Sequence, residues 1–137
     1  MSPEQIALIQ SSWAKVVPIA ETAAGLFYGR LFELDPAVKP LFKGDIKDQG
    51  RKLMLTLNTV VNGIANLGPL VPVVQDLGRR HVAFGVEAKH YDSVGAALLW
   101  TLEQGLGAEF TPETREAWSV AYTTLADVMK QAAYGQA

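Results

Sequence analysis

Apolar residues recur at the spacing of an α-helix along nearly all of the chain, and the breaks between these runs carry helix-ending residues. Ser2 and Gln5 form a capping-box sequence, which places the start of a first helix near residue 3. Pro18 has no backbone N–H to donate, so it should break or kink that helix. A second helix is therefore expected to continue to Leu34.

The later helices are marked by one-sided apolar stripes. One helix is expected over about residues 46–65, and the sequence at 67–69 ends it. After a further helix comes a non-periodic connection at 85–89, then a helix over 91–106 and a last one from residue 112. These elements predict an all-α domain of seven or eight helices, which does not suit an up-and-down four-helix bundle.

Composition narrows the functional classes without changing this all-α prediction. The 137 residues suit a single domain spanning 1–137, and 49% of them are hydrophobic, so the chain can bury a sizeable core. The formal net charge is only -2 and the basic residues are scattered, which argues against nucleic acid as a partner. The sequence has no cysteine, no signal-like amino terminus and no apolar run of about 18 residues, so we expect a cytoplasmic protein without a membrane span.

His81 is the residue that simple packing explains least well. It lies at the foot of an apolar stripe formed by Leu70, Val74 and Leu77, so the imidazole should be buried and bonded to a partner. Taken alone, a satisfied core histidine is the commoner explanation. Together with an upstream amphipathic helix that carries Gln49, His81 also suits a flat apolar cofactor whose metal takes one protein ligand.

The chain also carries short motifs whose joint order and spacing are more specific than any one of them. In chain order they are Leu26-Phe27-Tyr28, Lys39-Pro40-Leu41-Phe42, Gln49, His81 with Gly85-Val86, His90-Tyr91 and Ala117-Trp118. With these motifs the chain resembles the bacterial single-domain globins, the family of Vitreoscilla-type haemoglobin and of the globin domain of flavohaemoglobins. The resemblance covers essentially the whole chain, and it implies a globin fold with haem b as the cofactor.

The resemblance further implies roles for individual residues. His81 would be the proximal iron ligand, Phe42 would stack on the porphyrin, and Tyr28, Gln49 and Leu53 would line the distal side. A phenol hydroxyl and a carboxamide are donors for bound dioxygen, whose outer atom carries partial negative charge, whereas carbon monoxide gains less from them. From the residues alone, Tyr28 and Phe42 are equally explained by packing, and Gln49 by a surface position.

Other residues are expected to complete the cofactor site. Lys52, Arg79 and Arg80 are either solvated or placed near a haem propionate. His90 is expected to be an exposed loop residue, with a propionate contact or loop packing as alternatives. The remaining cofactor contacts, mostly apolar wall, are expected from Leu53, Leu57, Leu77, Val86, Tyr91, Val94 and Leu98.

One departure from the flavohaemoglobins bears on the chemistry. The chain keeps their tyrosine as Tyr91, but Ala133 aligns where those proteins have a carboxylate that polarises the proximal histidine. Without that carboxylate, the resemblance implies ligand binding more than peroxidase chemistry. We therefore expect reversible dioxygen binding at a five-coordinate ferrous iron, in an oxygen-binding or oxygen-transport role, with carbon monoxide and nitric oxide as further ligands.

Two alternatives stay open at this point. Nitric-oxide dioxygenation, and hence nitric oxide detoxification, would need a separate reductase, since no flavin or nicotinamide domain is expected after the final helix. A haem-free sensor on a globin scaffold is more remote, because His81 is present. The carrier and the enzyme would bind the same dioxygen and would differ in how fast the cofactor is re-reduced.

Overall fold

Six α-helices and four short 3₁₀ helices account for most of the residues that the computed structural model describes, 2–42, 44–83 and 85–134. The α-helices are α1 (Pro3–Val16), α2 (Ala20–Leu34), α3 (Ile46–Gly63), α4 (Val71–Ala83), α5 (His90–Leu106) and α6 (Pro112–Tyr134). The 3₁₀ helices are Val17–Ile19, Pro36–Leu41, Gly68–Leu70 and Gly107–Glu109. These described residues contain no strand, which confirms the all-α prediction. The expected number of helices, seven or eight, lies between the six α-helices and the ten elements obtained when the four short 3₁₀ helices are included. Over the same residues, no helix combines the length and the apolar character needed to cross a lipid bilayer.

The ends of the first helices follow from the residues predicted to mark them. The Gln5 backbone N–H donates to Ser2 Oγ at 3.1 Å and the Ser2 N–H donates to Gln5 Oε1 at 3.1 Å, which confirms the capping box. Pro18 lies in the 3₁₀ helix between α1 and α2, so the predicted break is confirmed as well. The Asp45 carboxylate accepts a backbone N–H at 2.9 Å at the start of α3, which ends at Gly63, slightly earlier than predicted.

The centre of the hydrophobic core is supplied by α1, α2, α5 and α6. Its most deeply buried large side chains are Ile9 of α1, Leu31 of α2 and Leu102 of α5. Trp118 of α6 packs on Trp13 of α1 with their ring centroids 6.1 Å apart. The Trp118 indole N–H donates to a serine hydroxyl of α1 at 2.8 Å, so this buried polar group has a partner.

Two close helix crossings set the positions of α3 and α4. Where α2 meets α3, a Cβ added to Gly50 would lie 2.9 Å from the Ala24 Cβ. Where α4 meets α6, a Cβ added to Gly78 would lie 2.5 Å from the Met129 carbonyl oxygen. A larger side chain at either glycine would push the helices apart. Because α4 carries His81, its contact with α6 positions that histidine.

Candidate functional site

A cavity of about 210 Å³, partly open to solvent, lies between α2, α3, α4, α5 and α6. Its wall is mostly apolar, with a few tyrosine and histidine side chains among the hydrophobic ones. Most of the residues predicted for the cofactor and its ligand line this cavity, namely Tyr28, Phe42, Leu53, Leu57, Leu77, His81, Val86, Tyr91, Val94 and Leu98. The structure therefore brings together side chains that are far apart in the sequence.

Further residues line the cavity that were not predicted for the site, apart from His90, for which a propionate contact was one alternative. They belong mainly to the apolar faces that close it, and they are Phe27, Leu31, Val38, Leu41, Thr56, Val60, Val74, His90, Tyr122, Leu125, Ala126 and Met129. Several of these lie on stripes that the sequence places inward, including Tyr122, Leu125 and Met129 of α6. A stripe marks the buried side of a helix, but it does not distinguish a cavity wall from a filled core.

The helix α4 presents His81 to the cavity in a defined tautomer. The ring Nδ1 lies 2.7 Å from the Leu77 carbonyl oxygen, and because a carbonyl can only accept, Nδ1–H is the donor. The lone pair of the neutral ring is then on Nε2, which is free to bind a metal. Burial lowers the pKa of His81, and Arg80 lowers it further, against the opposing effect of the bond to Leu77. The ring is therefore neutral, as a metal ligand must be.

The prediction that His90 is an exposed loop residue is wrong. It begins α5, is only 5% exposed and lines the cavity. Its Nδ1 accepts the Glu87 backbone N–H at 3.0 Å, so Nδ1 carries no proton and Nε2, which lies 4.0 Å from the Glu87 carboxylate, carries one. The turn before α5 brings the His90 ring against the Glu87 backbone. The spacing of hydrophobic residues in the sequence does not predict such a turn. Of the two histidines, only His81 has a free Nε2 lone pair.

Tyr28 of α2 is buried and brings a hydroxyl to the cavity. That hydroxyl donates to the Gln49 backbone carbonyl at 3.3 Å, which is a long hydrogen bond. Burial raises the pKa of Tyr28 to about 12, so the hydroxyl keeps its proton and remains a donor near neutral pH. Gln49 is not among the described residues that line the cavity, and the contact it makes with Tyr28 is through its backbone carbonyl.

Lys52 and Arg80 are both exposed and lie outside the described wall of the cavity. The Arg80 guanidinium Nε is 3.2 Å from the Asp76 carboxylate, one turn earlier on α4. An ion pair as exposed as this contributes little to stability, so Arg80 can leave it at small cost. The placement of either cation near a propionate stays a prediction.

Tyr91 lies beside His81 with a hydroxyl that has no hydrogen-bond partner among the described residues, although it is buried. The two rings are stacked with their centroids 6.5 Å apart, and Lys130 Nζ lies 5.9 Å from the centroid of Tyr91. Burial raises the pKa of Tyr91 to about 12, so the phenol is neutral. No Asp or Glu is among the described residues that line the cavity, and Ala133 supplies no carboxylate. Among these residues, the hydrogen-bond partner of His81 is thus the Leu77 carbonyl.

Comparison with known sequences places these features in a family. The globin family profile matches residues 25–129, a stretch that runs from α2 into α6 and contains both histidines. The chain belongs to the globin family. Membership in this family implies a haem protein that takes small diatomic ligands.

Three relatives of different lengths match nearly the whole of this chain. The flavohemoprotein of Bacillus subtilis (strain 168) is 32% identical over 125 residues, covering 89% of this chain and 31% of that protein. The flavohemoprotein of Xylella fastidiosa (strain Temecula1 / ATCC 700964) is 31% identical over 132 residues, covering 94% of this chain and 33% of that protein. The neuroglobin of Danio rerio is 30% identical over 143 aligned positions, covering 94% of this chain and 90% of that protein. The globin therefore spans about a third of the length of these flavohemoproteins.

The residues around the cavity have the donor chemistry that haem requires. They supply one neutral imidazole with a free Nε2, an apolar wall and an aromatic ring, Phe42. The cavity volume of about 210 Å³ is below the roughly 300–1,000 Å³ of typical cofactor pockets, so haem must spread the wall. Leu53, Leu57 and Met129 are only partly buried and have flexible side chains, so they can move apart to admit it.

Proposed function

We propose that this globin binds haem b in the cavity between α2, α3, α4, α5 and α6 through His81 and binds dioxygen reversibly on the side of Tyr28. The observation that carries the proposal is the hydrogen bond from His81 Nδ1 to the Leu77 carbonyl, which leaves Nε2 free within an apolar wall. When bound, haem supplies an iron whose open position takes a diatomic ligand such as dioxygen, carbon monoxide or nitric oxide.

The residues of the chain contribute to this site in different ways. His81 Nε2 offers its lone pair to the metal, while the Leu77 carbonyl fixes the tautomer and the orientation of the ring. The Tyr28 hydroxyl keeps its proton because burial raises its pKa to about 12, so it can donate to a partly negative ligand atom. The apolar surfaces of Phe42 and Leu53 keep water away from the reacting position.

Haem retention tests the proposal most directly. We expect His81→Ala to lose stable haem binding and His90→Ala to keep it, because only His81 has a free Nε2 lone pair. Each variant is reconstituted with haem, separated from free haem by gel filtration, and measured by absorption in its ferric, ferrous and carbon monoxide forms. An unchanged Soret band in His81→Ala would exclude His81 as the iron ligand.

A second candidate function, nitric-oxide dioxygenation, is favoured by the identity to flavohemoproteins along nearly all of this chain. Each turnover would combine nitric oxide and dioxygen into nitrate and would take up one electron, so this function requires a reductase that supplies electrons. The two functions share one cavity and differ in the supply of electrons. We rank reversible binding first, because the described wall offers the His81 ring no carboxylate partner that would make it more anionic.

A further inference from the structure

Lys130 of α6 brings a positive charge against the wall of the cavity next to His81. Its Nζ lies 5.9 Å from the centroid of the Tyr91 ring, within the roughly 6 Å at which an ammonium and an aromatic face attract each other. The Tyr91 ring is in turn stacked with the His81 ring, with their centroids 6.5 Å apart. One aromatic ring therefore separates the Lys130 ammonium from the residue proposed to bind the iron.

The wall between Lys130 and His81 offers no negative charge to cancel this cation. The Tyr91 phenol is buried and neutral, since burial raises its pKa to about 12. The described residues that line the cavity include no Asp or Glu. The effective dielectric constant beside an apolar wall is lower than in water, so a charge acts over a longer distance there. The electric field of the Lys130 ammonium therefore reaches the His81 side of the cavity.

The other charged side chains close to these two residues lie more in water. Asp127 Oδ1 is 3.9 Å from Lys130 Nζ, but the Asp127 side chain is 68% exposed and that of Lys130 only 33%. Arg80, next to His81, pairs with Asp76, and their side chains are 59% and 63% exposed. Water and salt screen exposed charges most strongly, so Lys130 is the least screened of these four groups.

We propose that the Lys130 ammonium, acting across the Tyr91 ring, raises the reduction potential of the haem bound in the cavity. The inference rests on the proposed function, since it concerns the haem of that same site. Oxidation of ferrous to ferric haem releases one electron and adds one positive charge, and a nearby cation makes that added charge less favourable. Lys130 thereby favours the ferrous state, which is the state that takes up dioxygen.

Removing the charge of Lys130 while keeping its length tests the inference. In Lys130→Met, the equilibrium between the two oxidation states should shift toward ferric haem by about three- to tenfold. At about 59 mV for a tenfold change in a one-electron equilibrium, the reduction potential should fall by about 30–60 mV. Potentiometric titration of the haem-loaded protein at low ionic strength measures this shift. Lys130→Arg retains the charge and should keep the wild-type potential.

Asp127→Asn gives the opposite sign, because it removes the carboxylate that partly offsets Lys130. Its potential should rise above that of the wild type, whereas a loosened fold would move both variants in the same direction. The matched control is Lys15→Met, which removes a lysine that pairs with Glu109 at 2.6 Å. Lys15 lies on α1, and α1 contributes none of the described residues of the cavity wall, so the potential should not change.

Salt dependence and autoxidation supply two further readouts on the same proteins. Added salt should reduce the difference in potential between the wild type and Lys130→Met, because the ammonium is partly exposed. The dioxygen-loaded Lys130→Met protein should oxidise to the ferric form faster than the wild type, as followed by its absorption spectrum. An unchanged potential in Lys130→Met would overturn the inference, and so would an equal fall in Lys130→Arg.

The contact between Lys130 and Tyr91 can be checked in the haem-free protein. The ring should shift the NMR signals of the Lys130 Hε protons upfield, and Tyr91→Leu should abolish that shift. Hε signals at their ordinary position in the wild type would overturn the inference without touching the proposed function. An unchanged Soret band in His81→Ala would instead overturn the proposed ligand, while opposite shifts of potential in Lys130→Met and Asp127→Asn would still support the effect of Lys130 on the haem.

Discussion

At the scale of single residues, Tyr28 holds the hydroxyl on which the proposed dioxygen site depends. We expect Tyr28→Phe to speed dioxygen release by roughly 10- to 100-fold, equivalent to ~1.4 to ~3 kcal/mol for a desolvated hydrogen bond to a partly charged acceptor. Gln49→Leu should have a smaller effect on dioxygen release, because Gln49 is not among the described residues that line the cavity. Stopped-flow displacement of dioxygen measures both variants.

Carbon monoxide is the control ligand for these two variants. It carries little negative charge on its outer atom, so the loss of a donor should change its release far less than that of dioxygen. Equal changes for both ligands would show that Tyr28 acts by limiting space and not by donating a hydrogen bond.

The buried phenol of Tyr28 also predicts how stability depends on alkaline pH. Burial raises its pKa from 10.0 to about 12, so the folded protein keeps this proton at a pH where the unfolded chain loses it. Its contribution to the free energy of unfolding is complete below pH 10.0 and is lost as the pH rises through about 12. Urea unfolding at several pH values should therefore show a shallower alkaline decline in Tyr28→Phe than in the wild type. Parallel declines would mean that Tyr28 titrates normally in the folded state.

The two histidines show how far a residue can be predicted from the sequence. His81 continues an apolar stripe, so its inward position follows from helical periodicity. His90 is buried because a turn and the Glu87 backbone N–H hold its ring, and these contacts depend on the path of the chain before α5. Helical periodicity carries no information about such a turn, so it does not predict that His90, at the start of α5, is buried.

At the scale of the helices, Gly78 determines how closely α4 packs on α6. An added Cβ would meet the Met129 backbone, which cannot move aside as the end of a side chain can. We expect Gly78→Ala to lower the free energy of unfolding by about 1–3 kcal/mol, measured in urea. It should also weaken haem retention, since α4 carries His81.

The matched control for that variant is Gly25→Ala, at a helical glycine whose added Cβ would meet nothing within 4 Å. Alanine favours a helix over glycine by about 1 kcal/mol, so this variant should be as stable as the wild type or more so. Equal stability of Gly78→Ala and Gly25→Ala would contradict the close contact between α4 and α6.

Helix ends can be predicted where they depend on neighbouring residues, whereas the contacts between helices depend on packing and are harder to predict. The capping box at Ser2 and the break at Pro18 need only neighbouring residues, and both predictions are confirmed. The tight crossings at Gly50 and Gly78 depend on residues far away in the sequence, and in the sequence both glycines resemble any other glycine in a helix. These crossings nevertheless set where the helices around the cavity lie.

At the scale of the whole molecule, the membership of the cavity wall could be predicted better than its detailed geometry. Ten residues predicted for the site, from Tyr28 to Leu98, line this cavity, and the apolar ones such as Leu57, Val94 and Leu98 are expected to be wall with or without the resemblance. Gln49 shows why the rest could not be predicted. It directly precedes Gly50, where α3 packs closely on α2, and its backbone carbonyl accepts the Tyr28 hydroxyl. That contact is a property of two packed helices and not of either helix alone.

Assayed alone, the 137-residue chain should complete one cycle of nitric oxide oxidation and then stop. Each conversion of nitric oxide and dioxygen into nitrate takes up one electron, and a haem protein without a reductant can supply that electron once, so we expect roughly one nitrate per protein. Stopped-flow mixing of the dioxygen-loaded protein with nitric oxide, followed by nitrate analysis, measures this ratio. A separate reductase with NADH should restore turnover in the wild type, and the same addition should not do so in His81→Ala. Sustained nitrate formation with NADH and no added reductase would contradict our ranking, because a protein that is re-reduced without a partner is equipped as a dioxygenase more than as a dioxygen carrier.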